Sequence, residues 1–480
     1  MKISSHKTKI VCTIGPSSCS LSKLKSMIES GMNVARLNFS HGEFKDHAAN
    51  IRNIRHIASQ AGHVVSIIID LPGVKIRVGD LENGSVLLKK GEAVVLTTRK
   101  VLGTGECIPV EYKAFPKSVA SSKLIFLNDG FIQLKVEKVS GQDVYCKVLI
   151  GGKLLSHKGL NLPGANLSVD PITERDLEIV AFGLKQGINV FGLSFVETPR
   201  DIIKVREFAK KQGHSVYLVA KIERREAIDN FDEILKVTDG VMIARGDLGV
   251  EIPIEEVPGI QKRLIEKANL MGVPVITATQ MLESMTHNIR PTRAEVNDVA
   301  NAILDGTDAV MLSEETAIGD YPVETLRMMV KIAVTTEHQR DEGVLSSDEG
   351  MRINNQVIQR ASLAITDVTS LNAVRAAQKM GARYILTPTI DGNTARSISR
   401  FKPPCWMLSF SAHARVCEFL NFSYGVHPFL LSKNTARDPH AILRNLKKWR
   451  LVKEKDTVIL TESRLSSHQG VTDSLAIVTL

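Results

Sequence analysis

The chain has 480 residues, of which 43% are hydrophobic and 24% are charged, and its formal net charge is +9. This length suggests about three domains, and the apolar content is enough for a large core, so the composition excludes a disordered chain. The sequence has no apolar run of the roughly 18 residues that a membrane span needs, no basic block typical of nucleic-acid binding, and no CxxC pair among its six cysteines. We therefore expect a cytoplasmic protein without membrane or nucleic-acid partners.

Residues 7–70 predict an alternation of strands and helices. Strands are expected at Lys9–Ile14, Val34–Leu37 and Val64–Ile69, and the stretches between them carry apolar residues at helical spacing. The third strand is apolar without interruption, which is typical of a parallel strand that is buried on both faces.

The same alternation resumes between residues 170 and 337. Thr173 with Asp176 begins one helix, and Thr292 with Glu295 forms a capping box before another helix that ends at Asp305 and Gly306. Five more apolar strands are expected at Val190–Leu193, Tyr217–Ala220, Val241–Ala244, Val275–Ala278 and Ala309–Leu312. Three strands and five strands make eight, which is the number in a TIM (β/α)8 barrel.

Two other segments have different patterns. Residues 72–167 alternate with period two at Phe131–Glu137 and contain turn signals such as Asn83-Gly84, so they predict a small β-barrel lid inserted after the third barrel strand. Residues 343–480 return to an α/β pattern, with four strands expected near Tyr384–Leu386, Trp406–Leu408, Val458–Leu460 and Leu475–Val478. The expected fold class is α/β, with a barrel at 1–71 and 168–342, a lid at 72–167 and a third domain at 343–480.

Polar side chains follow the carboxyl ends of five predicted barrel strands, where TIM barrels carry their active sites. Charged residues can simply begin where strands stop, but a set of five strands favours a functional site. The set consists of Arg36 to His41, Asp70, Lys221 with Glu223, Arg245 to Asp247, and Thr279 with Gln280.

The residue types in this set suit an anionic substrate and a hard metal ion. Glu223 and Asp247 offer two carboxylates, and Mg²⁺ binds one or two carboxylates and completes its shell with water and substrate oxygens. Lys221 lies two residues from Glu223 and so points to the same side of its strand, and Arg36 can clamp an anion. The N–H groups at Gly246 are expected to be open to an anion. This combination favours phosphoryl transfer over a surface-type ion pair between Lys221 and Glu223.

Several long motifs, in this order, resemble those of pyruvate kinases. The resemblance extends from residue 7 to the C-terminus and is closest to a bacterial, potassium-independent subgroup that carries a lysine near the third strand. It implies a C-terminal regulatory domain, a cytoplasmic homotetramer, and transfer of the phosphoryl group of phosphoenolpyruvate to ADP, which gives pyruvate and ATP in the last step of glycolysis. The matching stretches are residues 8–16, 31–42, 221–223, 244–253, 278–285, 291–296 and 311–313.

The resemblance also implies roles for single residues. Lys221 would neutralise charge on the transferred phosphoryl group and the nascent enolate, and Arg36 would clamp phosphate. Glu223 and Asp247 would hold Mg²⁺, with Mn²⁺ as an alternative. Water near Thr279 would protonate the enolate. The substrate carboxylate would be held by Gly246, Asp247 and Thr279.

The nucleotide would bind beside the lid. Arg77 and Lys158 would contact its phosphates, and lid closure would shield them from water. Asn38 would belong to this site, and His41 would line it, although His41 is equally consistent with a residue at a helix start.

A monovalent cation site is the clearest departure within this resemblance. Potassium-dependent relatives usually carry Thr where this chain has Leu71 and Glu where it has Lys75. The Lys75 ammonium is therefore expected to replace K⁺ beside Asp70, so that K⁺ is not required; the alternative is a solvated lysine at the lid hinge. The family pocket for K⁺ would consist of Asn38, Ser40 and Asp70.

The loop that binds effectors in many relatives also differs. Its pattern there is Thr-x-Ser-Gly-x-Ser/Thr, and here it contains Thr389, Asp391, Gly392 and Thr394. Asp391 places negative charge where a serine would face phosphate, so fructose 1,6-bisphosphate is expected to be a poor activator. Asp391 is also consistent with a turn residue beside Gly392.

Two further departures and two alternative functions stay open. Glu197 stands where the family often has Arg, and Glu314 stands where it often has Gly. Another barrel enzyme that stabilises an enolate on Mg²⁺, such as an aldolase-like lyase, would also use Glu223, Asp247 and Arg36, but it would not need the lid. A scaffold protein with the same fold would not need Lys221, which is present.

Overall fold

The computed structural model describes residues 3–119, 123–128, 130–164, 170–344, 364–462 and 472–480. The strands, in chain order, are β1 Lys9–Thr13, β2 Val34–Asn38, β3 Ser66–Asp70, β4 Ser85–Leu88, β5 Ala93–Thr97, β6 Cys107–Pro109, β7 Leu124–Leu127, β8 Ile132–Ser140, β9 Asp143–Ile150, β10 Gly152–Leu155, β11 Leu160–Asn161, β12 Val190–Leu193, β13 Tyr217–Ile222, β14 Gly240–Ala244, β15 Val275–Ala278, β16 Ala309–Leu312, β17 Tyr384–Pro388, β18 Trp406–Ser411, β19 Val426–Leu430, β20 Thr457–Glu462 and β21 Ser474–Thr479. The α-helices are Leu21–Ser30, Phe44–Ala61, Phe115–Val119, Glu174–Lys185, Pro199–Lys211, Arg225–Asp229, Phe231–Leu235, Arg245–Glu251, Val257–Met271, Arg293–Leu304, Glu314–Ala317, Pro322–Asp341, Ile365–Met380, Asn393–Ser399, Ala414–Leu420, Lys433–Arg437 and Pro439–Lys448.

The predicted TIM barrel is confirmed. Eight parallel strands close in the order β1-β16-β15-β14-β13-β12-β3-β2. Both predicted helix starts are capped: the Thr173 side chain accepts from the Asp176 N–H, and the Thr292 side chain accepts from the Glu295 N–H. Each cap satisfies an N–H group that the first helical turn would otherwise leave without a partner. All eight strands run in the same direction, so their carboxyl ends meet at one face.

A β-rich unit lies between β3 and the helix Glu174–Lys185. Its main sheet has the order β11-β7-β8-β9-β5-β6, and its apolar residues form a hydrophobic cluster of their own. The two chain segments that connect it to the barrel pair with each other, since Arg77 bridges Gly159 and the Val78 N–H donates to the Lys158 carbonyl at 3.0 Å. This unit is therefore joined to the barrel by a two-stranded ribbon.

The C-terminal unit is a five-stranded sheet with the order β19-β18-β17-β20-β21. Strands β17, β18, β19 and β20 are parallel and β21 is antiparallel. The sequence did not predict β19, because Pro428 interrupts its apolar run and proline lowers the expectation of a strand.

The C-terminal unit closes the barrel at the amino ends of its strands. One hydrophobic cluster contains residues from all eight barrel strands together with Phe419 and Phe422. The Phe419 ring stacks on Tyr217, at the start of β13, with a centroid distance of 4.2 Å. The barrel core therefore continues into the C-terminal unit, at the end opposite to the predicted site.

None of the helices in the described parts of the chain is long and apolar enough to cross a membrane. All six cysteines are free thiols.

Candidate active site

Lys221 lies near the end of β13 and is the centre of a buried polar cluster. Its Nζ lies 2.7 Å from Ser194 Oγ, 2.9 Å from Glu223 Oε1 and 3.3 Å from Asp70 Oδ2. Burial alone would lower the pKa of Lys221, but the charges of Asp70 and Glu223 outweigh it and raise the pKa above its usual value. The ammonium therefore keeps its charge at neutral pH.

Lys221 and Glu223 contact each other directly within this cluster. The two groups form an ion pair, although not a surface one, because their side chains are only 10% and 1% exposed. The pair forms because alternate residues of a strand point to the same side. Each carboxylate in the cluster also keeps a second partner, so the pair is one contact in a network.

Arg36 lies within β2 and Asp70 ends the neighbouring strand β3. Arg36 donates from Nη2 to Asp70 Oδ2 at 2.7 Å and from Nη1 to Thr13 Oγ1 at 2.8 Å. Burial would raise the pKa of Asp70, but the Arg36 and Lys221 cations outweigh it and hold this pKa below its usual value. Asp70 is therefore ionised, and its buried Oδ1 has no hydrogen-bond partner among the described residues.

Glu223 and Asp247 bring two carboxylates to the same face. Glu223 Oε2 accepts the Phe195 N–H at 2.7 Å. Burial and the charge of Asp247 raise the pKa of Glu223, and the neighbouring Lys221 opposes this. Asp247, in the helix Arg245–Glu251, is partly exposed and bonds Lys75 Nζ at 3.2 Å. A divalent cation would relieve the repulsion between these carboxylates.

Thr279 follows β15 in a strained backbone conformation. Its φ is 70° and that of Gln280 is 54°, a region that β-branched and bulky residues rarely adopt. Arg245 holds the turn by donating to the Thr279 carbonyl at 2.8 Å. The Gly246 N–H, which we expected to be open, donates to Thr279 Oγ1 at 2.8 Å. The Thr279 hydroxyl and this N–H therefore lie together, beside Asp247.

Apart from the buried Asp70, the residues predicted for the nucleotide and for a monovalent cation are more exposed. Asn38 Oδ1 accepts the Ser40 N–H at 3.1 Å, directly after β2. His41 precedes the helix Phe44–Ala61 and its carbonyl accepts from His47. Arg77 lies on the connecting ribbon, where Nη1 donates to the His157 carbonyl at 2.9 Å, next to Lys158. Lys75, predicted to lie beside Asp70, donates from Nζ to Asp247 Oδ1 at 3.2 Å.

The predicted effector loop lies far along the chain, between β17 and the helix Asn393–Ser399. The Asp391 carboxylate accepts the Asn393 N–H at 3.0 Å and the Asn393 side-chain amide at 2.6 Å. Thr389 Oγ1 accepts the Gly392 N–H at 2.9 Å, and Thr394 is buried. The Asn393 N–H, at the start of this helix, is therefore already bonded to the Asp391 carboxylate.

Three contacts at the site were missed from the sequence. The Ser194 hydroxyl binds Lys221, the Phe195 N–H binds Glu223, and the Thr13 hydroxyl binds Arg36. Ser194 directly follows β12 and Thr13 ends β1. The strand-end rule that found the other residues would have found both, had it been applied to all eight strands.

The whole chain is similar to pyruvate kinases. Residues 5–326 match the pyruvate kinase barrel domain and residues 367–478 match the pyruvate kinase alpha/beta domain. Pyruvate kinase from Thermococcus litoralis is 51% identical over 464 residues, which are 97% of this chain and 96% of that protein. Pyruvate kinase from Bacillus licheniformis is 43% identical over 424 residues, which are 88% and 71% of the two chains.

A solved structure agrees with this similarity. The crystal structure of a pyruvate kinase from Cryptosporidium parvum superposes with a TM-score of 0.89 at 36% identity, over 99% of this chain and 96% of that one. With two family domains in order and a shared fold over nearly the full length, the chain belongs to the pyruvate kinase family, the enzymes that transfer the phosphoryl group of phosphoenolpyruvate to ADP and give pyruvate and ATP.

Proposed function

We propose that the cluster around Lys221 performs this phosphoryl transfer. The observation that carries the proposal is a buried ammonium whose charge is maintained by Asp70 and Glu223, at the carboxyl ends of the barrel strands. Phosphoryl transfer depends on positioning and on compensation of charge, which this cluster supplies with Lys221 and Arg36. A scaffold protein would gain nothing from two cations and two carboxylates buried together.

Members of this family generally use Mg²⁺ and K⁺, and the chain offers residues that fit Mg²⁺. Glu223 and Asp247 supply the one or two carboxylates that Mg²⁺ takes from a protein. Their mutual repulsion supports a divalent cation at this point. When bound, the metal would supply positive charge to the oxygens of the substrate.

The remaining roles follow from the positions of side chains. Arg36 and Lys221 hold the phosphoryl group while it leaves the enol oxygen of phosphoenolpyruvate and bonds to the terminal phosphate oxygen of ADP. Thr279 and the Gly246 N–H hold the substrate carboxylate, after their mutual hydrogen bond opens. The resulting enolate takes a proton from water near Thr279 to give pyruvate. Arg77, on the ribbon, and Lys158 hold the nucleotide phosphates under the lid.

We also propose that K⁺ is not required. Leu71 has no side-chain oxygen for a cation, and Lys75 lies on the ribbon within reach of Asp247. Asp70 Oδ1 is a buried acceptor without a hydrogen-bond partner among the described residues, and either the Lys75 ammonium or a monovalent metal ion would suit it. Lys75 would move from Asp247 towards Asp70 when a metal binds and the lid closes.

We propose that the protein forms a homotetramer, as the resemblance to the family implies. The exposed apolar side chains of β21 support an interface between subunits. This edge strand exposes alternate side chains, including Leu475 and Ile477. Analytical ultracentrifugation measures the assembly directly, and a monomer at micromolar concentration would contradict this proposal.

The test of the function is release of pyruvate, measured with coupled lactate dehydrogenase. The assay contains phosphoenolpyruvate, ADP and Mg²⁺ in tetramethylammonium buffer, with and without added K⁺. We expect pyruvate only when both substrates and Mg²⁺ are present, and substantial activity without K⁺. Release of pyruvate without ADP would indicate a lyase or phosphatase and would refute the assigned roles of Arg77 and Lys158.

A further inference from the structure

The residue that follows the proposed metal ligand Glu223 forms an ion pair with the loop after β12. Arg224, the next residue, forms an ion pair from Nη1 to Glu197 Oε1, and both side chains are largely buried. The Arg224 guanidinium also lies over the Phe195 ring, 5.4 Å from its centroid. Burial raises the pKa of Glu197, and the charge of Arg224 opposes this shift. Arg224 therefore contacts two residues of the loop that follows β12.

The same loop holds Glu223 in place. The Phe195 N–H donates to Glu223 Oε2 at 2.7 Å, and Phe195 has a φ of 55°, which is unusual for a bulky residue. The loop is fixed further along the chain as well, since the Glu197 carbonyl accepts from Asn230 at 2.9 Å and the Glu197 N–H donates to Asp201 at 2.9 Å. A residue in this conformation persists only when its neighbours hold it.

These contacts close a ring. It runs from the Glu223 carboxylate through the Phe195 N–H to Glu197, then across the ion pair to Arg224, and returns along the chain to Glu223. Any shift of the loop changes the direction of the Phe195 N–H and so rotates the carboxylate. Outer contacts of this kind commonly fix the orientation of metal ligands.

We propose that Glu197 and Arg224 are positioning residues, which orient the Glu223 carboxylate towards the bound metal by holding the Phe195 loop. This inference rests on the proposed role of Glu223 as a metal ligand. An arginine at position 197, by contrast, would face Arg224 with the same charge.

Two other carboxylates lie near this ion pair. Glu226 and Glu251 are close enough for their charges to act on this group of residues, and the charge of Arg224 acts on Glu251. If Glu197 loses its charge, Arg224 still has negative charge nearby and can turn away from the loop. We therefore expect Glu197→Gln to release the loop without leaving an isolated buried cation.

The experiment measures Mn²⁺ binding to the full-length protein without substrates, from the free Mn²⁺ signal in electron paramagnetic resonance. Glu197→Gln should weaken Mn²⁺ binding about five- to tenfold. This is near the lower end of the losses in metal affinity that follow when a residue that orients a metal ligand is replaced. The matched control is Arg206→Gln, which breaks the 2.7 Å ion pair with Asp239 near the amino ends of the barrel strands. The control should leave Mn²⁺ affinity within about twofold of wild type, even if both variants lower Tm similarly.

Two further variants separate the possible failures. The charge swap Glu197→Arg with Arg224→Glu restores an ion pair and should recover most of the lost Mn²⁺ affinity. If Glu197→Gln does not fold, this double variant still tests the positioning role. Glu223→Gln should weaken Mn²⁺ binding at least as much as Glu197→Gln. Wild-type Mn²⁺ affinity in Glu197→Gln, with weak binding in Glu223→Gln, overturns the positioning role alone. Unchanged affinity in Glu223→Gln overturns the metal-ligand role and this inference with it.

Discussion

Replacement of Lys221 by methionine is the most direct test of the active site. Methionine keeps most of the length of the side chain and removes the charge. Each neighbouring carboxylate keeps another partner, since Asp70 retains Arg36 at 2.7 Å and Glu223 retains the Phe195 N–H at 2.7 Å. We therefore expect the variant to fold and to bind phosphoenolpyruvate with Mg²⁺ appreciably.

The expected loss is in turnover. A charged donor that acts on charge developing in the transition state contributes about 3 to 4 kcal/mol, which corresponds to a factor of about 10² to 10³ in kcat. Lys221 is buried, and its ammonium is held at 2.7 to 3.3 Å by three oxygen atoms, so water cannot easily replace it. The KM for phosphoenolpyruvate should change much less, because Arg36 remains.

The assay is steady-state pyruvate release with wild type, Lys221→Met and the control Lys204→Met, whose lysine is a partly exposed residue of a barrel helix. Circular dichroism checks that all three are folded. A kcat for Lys221→Met within tenfold of wild type would refute the proposed role of Lys221. Equal losses in both lysine variants would point to a general effect on the barrel instead.

Four other changes test separate parts of the molecule. Phe419→Ala should lower the free energy of unfolding by about 3 to 5 kcal/mol in denaturant titrations, because it opens a cavity at the barrel end, whereas the exposed Phe131→Ala should change it by less than about 0.5 kcal/mol. Burial lowers the pKa of Lys9 to about 7, so between pH 7 and 9 the unfolded state binds more protons than the folded state. Over this range the free energy of unfolding of the wild type should rise by about 2 kcal/mol relative to that of Lys9→Met, and an equal pH dependence of the two proteins would contradict this. Lys75→Glu should make activity depend on K⁺, measured in tetramethylammonium buffer, and a strong K⁺ requirement in wild type would argue against Lys75 as the substitute cation. Fructose 1,6-bisphosphate should barely change the half-saturating phosphoenolpyruvate concentration of wild type and should have more effect on Asp391→Ser; strong activation of wild type at micromolar concentration would show that Asp391 does not exclude the phosphate.

The sequence predicted the barrel well because its signals are local. Continuous apolar runs mark strands such as Ser66–Asp70, which is buried along its whole length. Thr173 and Thr292 mark helix starts because a capping side chain acts within three residues. The strand Val426–Leu430 was missed because its proline gives the opposite local signal, although neighbouring residues of the sheet support the strand.

Contacts between distant parts of the chain were harder to predict. The strand-end rule placed Lys221, Glu223 and Asp247 at one face, but it does not say which charges pair there. Lys75 contacts Asp247 across 172 positions of the chain, and no periodicity reports such a contact. The stacking of Phe419 on Tyr217 is similarly invisible, since an aromatic residue in a short helix predicts burial but not its partner.

The shared hydrophobic cluster at the amino ends of the strands has a consequence for how this chain can evolve. The helix Ala414–Leu420 connects two strands of the C-terminal sheet, yet its Phe419 packs into the amino end of the barrel. Substitutions that repack the C-terminal unit around Phe419 are therefore also selected for their effect on barrel packing. Recombination at the boundary between the two units would replace Phe419 and Phe422 while the rest of this cluster stayed the same, so the tolerated exchanges are those that bring compatible side chains at these two positions.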